Sequence, residues 1–235
     1  MDAKKPQLIV ALDVNTLKEA ETLVDVLSPA VSIFKVGSQL FTACGREAVH
    51  FLLSCGKKVF LDLKYHDIPN TVASAVAAAV QLKKGKQGVF MLSVHALGGK
   101  AMLQAAALRT QEEARRIGIT KPLIIAITVL TSEEKNDNIH LLVLQRALLA
   151  KEAGCDGVVA SADEAKIIRQ EVGEDFIIVT PGVRPGGADS GDQKRIATPQ
   201  EAAASGSNFL VVGRPIIQSK NPLESARKIL DEIKK

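Results

Sequence analysis

The chain has 235 residues, 46% of them hydrophobic and 24% charged, which is the profile of a folded protein with a sizeable core. The formal net charge of +4 is mild, and no basic run alternates with aromatic residues, so we expect a small anionic ligand rather than nucleic acid. No apolar run is long enough to cross a membrane, and Cys44, Cys55 and Cys155 form no C-x-x-C pair, so we expect a cytoplasmic protein without a zinc or redox site.

In chain order, short apolar runs alternate with longer amphipathic segments from one end to the other. We predict strands at 7–13, 31–37, 58–64, 89–96, 122–130, 157–161, 176–181 and 209–213. Helices are predicted after them at 16–27, 39–54, 71–83, 99–116, 138–153, 163–172, 199–205 and 222–233. Asn15 or Thr16 can cap the first of these helices, and Asn221 followed by Pro222 can cap the last.

These eight strand-then-helix units follow one another without a linker or a low-complexity tract. We therefore predict an α/β protein, a (β/α)8 TIM barrel, with one catalytic domain over residues 1–235. An open doubly wound sheet is the competing arrangement, but no G-x-G-x-x-G motif follows the first strand. The basic segment 83–88 is expected to be a solvated loop at the end of the barrel away from the site.

The third predicted strand leads into the most informative segment, Leu61-Asp62-Leu63-Lys64-Tyr65-His66-Asp67-Ile68-Pro69-Asn70-Thr71. Asp62 and Lys64 point to the same face of a strand because successive side chains alternate. Charges at the end of an apolar strand are costly unless they pair or perform chemistry. A structural ion pair is the simpler alternative, but three charges within six residues, with Lys35 on the preceding strand, favour an active site.

Polar residues also stand at the carboxyl ends of most other predicted strands, where barrel enzymes carry their catalytic groups. Asp13 ends the first predicted strand, although it could equally cap a helix. Lys35 in the second strand would be weak support if it stood alone, since a lysine can extend to solvent. His95, between apolar residues, is more typical of a hydrogen-bonded structural histidine than of a catalyst.

Two loops with glycine and arginine follow the seventh and eighth strands, at 181–187 and 211–216. Barrels commonly bind phosphate at these loops through backbone N–H groups. Glycine lets the backbone approach an anion, and arginine supplies a bidentate fork. The segment 184–198 is long, polar and glycine-rich, which is typical of a mobile lid, with a disordered surface loop as the alternative. We predict a phosphorylated substrate.

Over essentially its whole length the chain resembles the orotidine 5′-phosphate decarboxylases of the bacterial type. The resemblance rests on the string D-x-K-x-x-D-I-P-N-T, which begins at Asp62 and is highly specific when shorter pieces occur in the same order. These pieces are Ala11-Leu12-Asp13, Phe34-Lys35-Val36-Gly37, Val94-His95-Ala96, Leu130-Thr131-Ser132, Pro181-Gly182-Val183-Arg184 and Val212-Gly213-Arg214. The resemblance implies conversion of orotidine 5′-phosphate to UMP and CO₂, the last step of UMP synthesis.

The resemblance also implies the roles of the site residues. An alternating charged array would consist of Lys35, Asp62, Lys64 and Asp67, with Asp67 and Thr71 completing the site of the other subunit in a homodimer. Asp62 would also contact the substrate, Asp13 and Lys35 would hold ribose hydroxyls, and Thr131 would contact the pyrimidine. The phosphate would be bound by Arg184, Gln193, Gly213 and Arg214, beneath the 184–198 loop.

Loss of CO₂ from C6 of the pyrimidine leaves a carbanion without an adjacent electron sink, and the chain carries no motif for a cofactor that would supply one. We therefore expect no cofactor and no metal, with Lys64 stabilising the carbanion electrostatically and donating the proton. Asp62, beside the departing carboxylate, could raise the ground state. Two alternatives are a Mg²⁺-dependent sugar-phosphate decarboxylase or aldolase on the same barrel and a non-catalytic nucleotide-monophosphate binding protein.

Overall fold

The structure, a computed structural model, describes residues 5–130, 138–185 and 197–234. Ten strands occur in these ranges. They are β1 (Gln7–Ala11), β2 (Ile33–Gly37), β3 (Lys58–Tyr65), β4 (Lys83–Lys84), β5 (Gln87–Gly88), β6 (Met91–His95), β7 (Leu123–Ile127), β8 (Gly157–Val159), β9 (Ile177–Thr180) and β10 (Phe209–Val212). No helix in the described ranges is both long and apolar enough to cross a membrane.

Eight of these strands close into a parallel barrel in the order β1-β10-β9-β8-β7-β6-β3-β2. Strand β1 pairs with β10 on one side and with β2 on the other, so the sheet has no free edge. The predicted (β/α)8 barrel is therefore confirmed, and the open doubly wound sheet is excluded. The carboxyl ends of all eight strands meet at one end of the barrel, which we call the barrel mouth.

Helices connect the barrel strands on the outside. They are α1 (Leu17–Leu27), α2 (Ser38–Cys44), α3 (Arg46–Ser54), α4 (Pro69–Val80), α5 (Gly99–Ile117), α6 (Ile139–Glu152), α7 (Ala162–Val172), α8 (Pro199–Ala204), α9 (Arg214–Ile217) and α10 (Pro222–Ile233). The N-terminal caps predicted for the first and last helices are confirmed. Thr16 and Glu19 form a capping box on α1, and the Asn221 side chain accepts from Glu224 N at 3.4 Å on α10.

Two local predictions are wrong in detail. The single helix predicted over 39–54 is divided at Gly45, whose φ of 57° and ψ of −140° interrupt the helical path between α2 and α3. The solvated loop predicted over 83–88 is instead a short antiparallel hairpin of β4 and β5, which turns at Gly85 with a φ of 60°. Both differences arise because glycine reaches positive φ without a steric penalty.

Two apolar layers hold the barrel together. Side chains between the strands and the helices form the larger layer, and a smaller group fills the barrel interior: Ile9, Ala11, Ile33, Phe60, Met91, Ile125, Ile127, Val159, Val179, Phe209 and Val211. Because side chains alternate along a strand, Lys35 lies on the same inward face as Ile33, and Asp62 on the same inward face as Phe60. The charged residues therefore stand above an apolar floor at the barrel mouth.

Candidate active site

Strand β3 is irregular where its charged residues stand. Leu61 pairs with Leu92 of β6, but the next pair is Tyr65 with Val94, so residues 62–64 lie opposite Ser93 alone. Within this bulge Lys64 has a φ of 52°, the one positive value among the described non-glycine residues. A left-handed backbone costs a lysine on the order of 1 kcal/mol, and bulges of this kind re-aim side chains beside active sites.

Four charged side chains, Asp13, Lys35, Asp62 and Lys64, form a connected group that we call the mouth cluster. Lys64 Nζ lies 2.7 Å from Asp62 Oδ2. Lys35 Nζ lies 3.7 Å from the same oxygen and 3.0 Å from Asp13 Oδ1. Positive and negative groups therefore alternate through the mouth cluster, and each ammonium has a carboxylate partner.

Asp62 is the most deeply buried member of the mouth cluster, with 9% of its side chain exposed against 37% for Lys64. Burial by itself disfavours the charged carboxylate. The positive charges of Lys35 and Lys64, with hydrogen bonds from Lys64 and Ser93, outweigh burial and hold the pKa of Asp62 below its ordinary value. Asp62 is therefore ionised at neutral pH, as a partner for two lysines requires.

Gly37, two residues after Lys35 on β2, leaves the space that the mouth cluster needs. A Cβ atom on this residue would lie 2.7 Å from Lys35 Nζ and 3.3 Å from Asp13 Oδ1. Any larger residue would displace the ammonium or the carboxylate. The glycine therefore lets Lys35 reach both aspartates.

The mouth cluster lines a cavity of about 550 Å³, a size suited to a small-molecule ligand. Part of its wall is apolar and is formed by side chains to which the sequence analysis had given no role: Phe60, Ile127, Val129, Leu130, Val159 and Val179. Because β7 stands across the barrel from β1 in the strand order, the part of this wall that Ile127, Val129 and Leu130 form lies opposite Asp13. The cavity can therefore hold a ring between an apolar wall and a charged one.

The phosphate-binding residues predicted after β9 and β10 line the same cavity, namely Arg184, Gly213 and Arg214. In the strand order only β1 separates β10, which precedes Arg214, from the lysine-bearing pair β2 and β3, and β9, which precedes Arg184, lies one strand further on. Arg184 is buried, and its Nη1 donates to Val183 O at 3.1 Å. Thr131 and Gln193, and most of the 184–198 loop, lie outside the described residues.

Asp67 and Thr71 are not brought into this cavity. Both are exposed, and neither belongs to the described lining residues. Asp67 Oδ1 accepts from Ile68 N at 2.6 Å, and no described cation lies within ion-pair distance of it. The protomer thus assembles Asp13, Lys35, Asp62 and Lys64, while the fourth member of the predicted array faces outward.

His95 and Ser93 occupy the end of β6 beside the mouth cluster. His95 is buried, its Nδ1 accepts from Leu97 N at 3.2 Å, and its ring stacks on His66 at 5.4 Å, in agreement with the structural histidine that the sequence indicates. Ser93 Oγ donates to Asp62 Oδ1 at 2.8 Å. Ser93 was not assigned a role from the sequence. Its one local signal is a hydroxyl in the apolar strand Met91-Leu92-Ser93-Val94.

Fold and site together define an enzyme-type barrel, with convergent charged groups in a cavity at the barrel mouth. The sequence profile of the orotidine 5′-phosphate decarboxylase / HUMPS family matches residues 6–229. The chain therefore belongs to this family of enzymes, and the resemblance stated above is confirmed.

Individual proteins of this family are similar to the chain over nearly its full length. The orotidine 5′-phosphate decarboxylase of Moorella thermoacetica is 51% identical, with 97% of this chain and 92% of that protein covered. That of Geotalea uraniireducens is 46% identical, with 99% and 97% covered. The crystal structure of orotidine 5′-phosphate decarboxylase from Lactobacillus acidophilus has a TM-score of 0.83 at 34% identity, covering 98% of this chain and 100% of that one. The chain is therefore similar to named decarboxylases in both sequence and fold.

Proposed function

We propose that the chain decarboxylates orotidine 5′-phosphate to UMP and CO₂ in pyrimidine synthesis, as one catalytic domain. The observation that carries the proposal is the pairing of Lys64 Nζ with the buried Asp62 carboxylate at 2.7 Å, inside a cavity that also holds two arginines. The names of the relatives support the substrate. The mouth cluster supports the chemistry, because a decarboxylation without a cofactor requires fixed charges of both signs beside the substrate carboxylate.

Substrate binding divides between the two charged parts of the cavity. Arg184, Arg214 and the Gly213 backbone bind the phosphate, joined by Gln193. Asp13, which follows β1, and Lys35 in β2 hold the ribose hydroxyls. The pyrimidine lies against the apolar wall, where Thr131 contacts it. Binding energy from the phosphate, which is remote from C6, is thereby available to orient the ring and close the 184–198 loop.

The chemical step relies on Lys64. The bond from C6 to the carboxyl carbon breaks, CO₂ leaves, and the electron pair stays on C6. The Lys64 ammonium stabilises this carbanion, transfers a proton to C6 and regains one from solvent. The ammonium is preorganised because Lys64 is already paired with Asp62 before negative charge develops on C6. No cofactor or metal is required by this balance of atoms and electrons.

Asp62 and Lys35 support the same step. Asp62 stands beside the substrate carboxylate, and the repulsion between the two is relieved as CO₂ leaves. Lys35, 3.7 Å from Asp62 Oδ2, helps keep that carboxylate ionised, and Asp62 in turn orients the Lys64 ammonium. Both roles require that the two aspartate oxygens remain bonded to the lysines and Ser93 rather than to a metal ion.

A homodimer completes the site in this proposal. Asp67 and Thr71 are exposed beside the barrel mouth, and Ile68 between them is 66% exposed. A single exposed apolar residue is common on protein surfaces, so the proposal rests on Asp67 and Thr71 lying outside the described lining of their own protomer's cavity. Asp67 of the partner subunit then becomes the fourth member of the alternating charged array, and Thr71 of the partner subunit adds a hydroxyl.

One assay tests the proposed reaction. Purified protein with EDTA is mixed with orotidine 5′-phosphate while the ultraviolet absorbance of the orotate ring is followed. We expect the band to disappear at full rate without added metal. Turnover only after Mg²⁺ is restored would favour the sugar-phosphate type of chemistry. UMP binding without any turnover would identify a non-catalytic binding protein and overturn the proposal.

A further inference from the structure

Ser93 lies at the point where β3 leaves its regular pairing with β6. The side chain is fully buried and does not belong to the described lining of the cavity. Its Oγ accepts from Lys64 N at 2.8 Å and donates to Asp62 Oδ1 at 2.8 Å. A hydroxyl carries one proton, and Ser93 donates it to Asp62. A lone pair on the same oxygen accepts from the Lys64 N–H.

The bulge explains why such a hydroxyl is needed. Residues 62–64 lie opposite Ser93 alone, so the Lys64 N–H has lost its regular place in the ladder with β6. A buried N–H without an acceptor is costly, and Ser93 Oγ replaces the missing carbonyl. The same bond holds the left-handed backbone of Lys64, whose φ is 52°.

From this geometry we propose that Ser93 is a positioning residue for catalysis. It ties the backbone of the proton donor to the carboxylate that orients the donor's ammonium, so that Lys64 and Asp62 move as one unit. The expected effect on kcat rests on the proposed function, but the expected effect on the backbone of Lys64 does not. Ser93 acts through Asp62 and Lys64 and does not touch the substrate.

The kinetic signature follows from where the hydroxyl acts. Ser93→Ala leaves the arginines, Asp13 and the apolar wall in place, so substrate and UMP binding change by less than about threefold. Lys64 and Asp62 lose their common tether, so kcat falls by about 10- to 100-fold, the range for one hydrogen bond to a charged group. Ser93→Thr keeps the hydroxyl and restores most of kcat.

A matched control is Ser207→Ala, which removes another buried hydroxyl. Ser207 Oγ is 2.6 Å from Thr180 Oγ1 and lies before β10, and neither residue belongs to the described lining of the cavity. This variant loses one buried hydrogen bond, whereas Ser93→Ala loses two, and we expect it to keep the wild-type kcat. Ser93→Cys is a second test variant of nearly the same volume, with a weak thiol donor, should the alanine variant not fold.

A second readout is independent of the reaction. Hydrogen exchange of the Lys64 amide, followed by NMR or mass spectrometry in the absence of substrate, should be at least about tenfold faster in Ser93→Ala and unchanged in Ser207→Ala. This measurement decides the structural part of the proposal even if the wild-type protein does not act on orotidine 5′-phosphate.

Three results would overturn the inference. Wild-type kcat together with unchanged Lys64 exchange in Ser93→Ala would show that the hydroxyl positions nothing. Equal losses in Ser93→Ala and Ser207→Ala, or a loss in Ser93→Ala that Ser93→Thr does not restore, would reduce Ser93 to an ordinary packing residue.

Discussion

Lys64 combines a strained left-handed backbone with an ammonium group that is paired to a buried carboxylate. The strain is of the kind that persists only where the surroundings impose it, and here the Ser93 hydroxyl and Asp62 hold both ends of the residue. Lys64 stays on the inward face with Asp62 although its φ of 52° interrupts the regular strand. The backbone N–H and the ammonium of this residue are therefore each held by a neighbour in or beside the mouth cluster.

Replacing Lys64 tests its assigned role directly. Lys64→Ala removes the proton donor and the positive charge near C6, so we expect kcat to fall by at least about 10²- to 10⁴-fold. The affinity for UMP, measured by calorimetry, should change little because the phosphate and ribose contacts remain. Lys228→Ala, which removes an exposed lysine paired with Glu224 at 2.8 Å on α10, is the control and should be fully active. Near-normal turnover in Lys64→Ala would refute the role.

Among the outer elements, α4 and α5 are joined by a polar contact inside an apolar interface. Glu113 of α5 is 1% exposed and accepts from Gln81 Nε2 at 2.9 Å, where α4 ends. Arg116 Nε donates to the same carboxylate at 3.0 Å. Hydrogen bonds from Arg116 and Gln81, with the charges of Arg116 and Arg109, lower the pKa of Glu113 to about 2.

This contact makes stability depend on pH in a stated direction. Because folding lowers the pKa of Glu113 from 4.5 to about 2, the stabilisation is complete above pH 4.5 and is lost as pH falls toward 2. Glu113→Gln should reduce the free energy of unfolding by about 1–3 kcal/mol at pH 7. The difference from wild type, measured by urea unfolding, should shrink between pH 4.5 and pH 2.

Glu112→Gln is the control for this prediction. Its side chain is 53% exposed on the same helix, 3.4 Å from Arg109 Nη1. We expect a loss of less than about 0.5 kcal/mol from an exposed pair. Equal effects of the two substitutions at pH 7, or a difference that does not change with pH, would contradict the importance of the buried contact.

For the whole molecule, closure of the barrel brings together groups that are distant in the chain. The neighbours β2 and β3 carry Lys35, Asp62 and Lys64, β1 supports Asp13, and the loops after β9 and β10 supply the arginines. Asp67 alone of the alternating charged array faces outward. The proposed second subunit accounts for that position.

Subunit mixing tests the shared site. Lys64→Ala and Asp67→Ala should each be inactive, but a heterodimer of the two has one site with both residues intact. Random reassociation of equal amounts should therefore restore about a quarter of the wild-type activity, since half of the dimers are mixed and each has one working site. Each variant mixed with itself is the control. Heterodimers isolated with two affinity tags that show no turnover would rule out the shared site.

Much of the fold could be predicted because its signals are local. In each strand–helix unit the spacing of apolar residues indicates the type of element, and the caps at Thr16 and Asn221 mark where helices begin. The division at Gly45 was missed because the flanking residues favour helix on both sides. The apolar wall of Ile127, Val129 and Val159 was missed because, in the sequence, these residues cannot be distinguished from other buried strand residues.

The sequence by itself determined the order of the elements, the chemistry of the charged residues and their place at strand ends, since these depend on neighbours along the chain. Only the tertiary structure decided which charges meet. Lys35 and Asp13 are 22 positions apart, Lys64 and Ser93 are 29 apart, and Ser93 and Asp62 are 31 apart, yet each pair lies within 3.0 Å. Contacts of that kind depend on strand register and on the bulge in β3, which are set when the barrel closes.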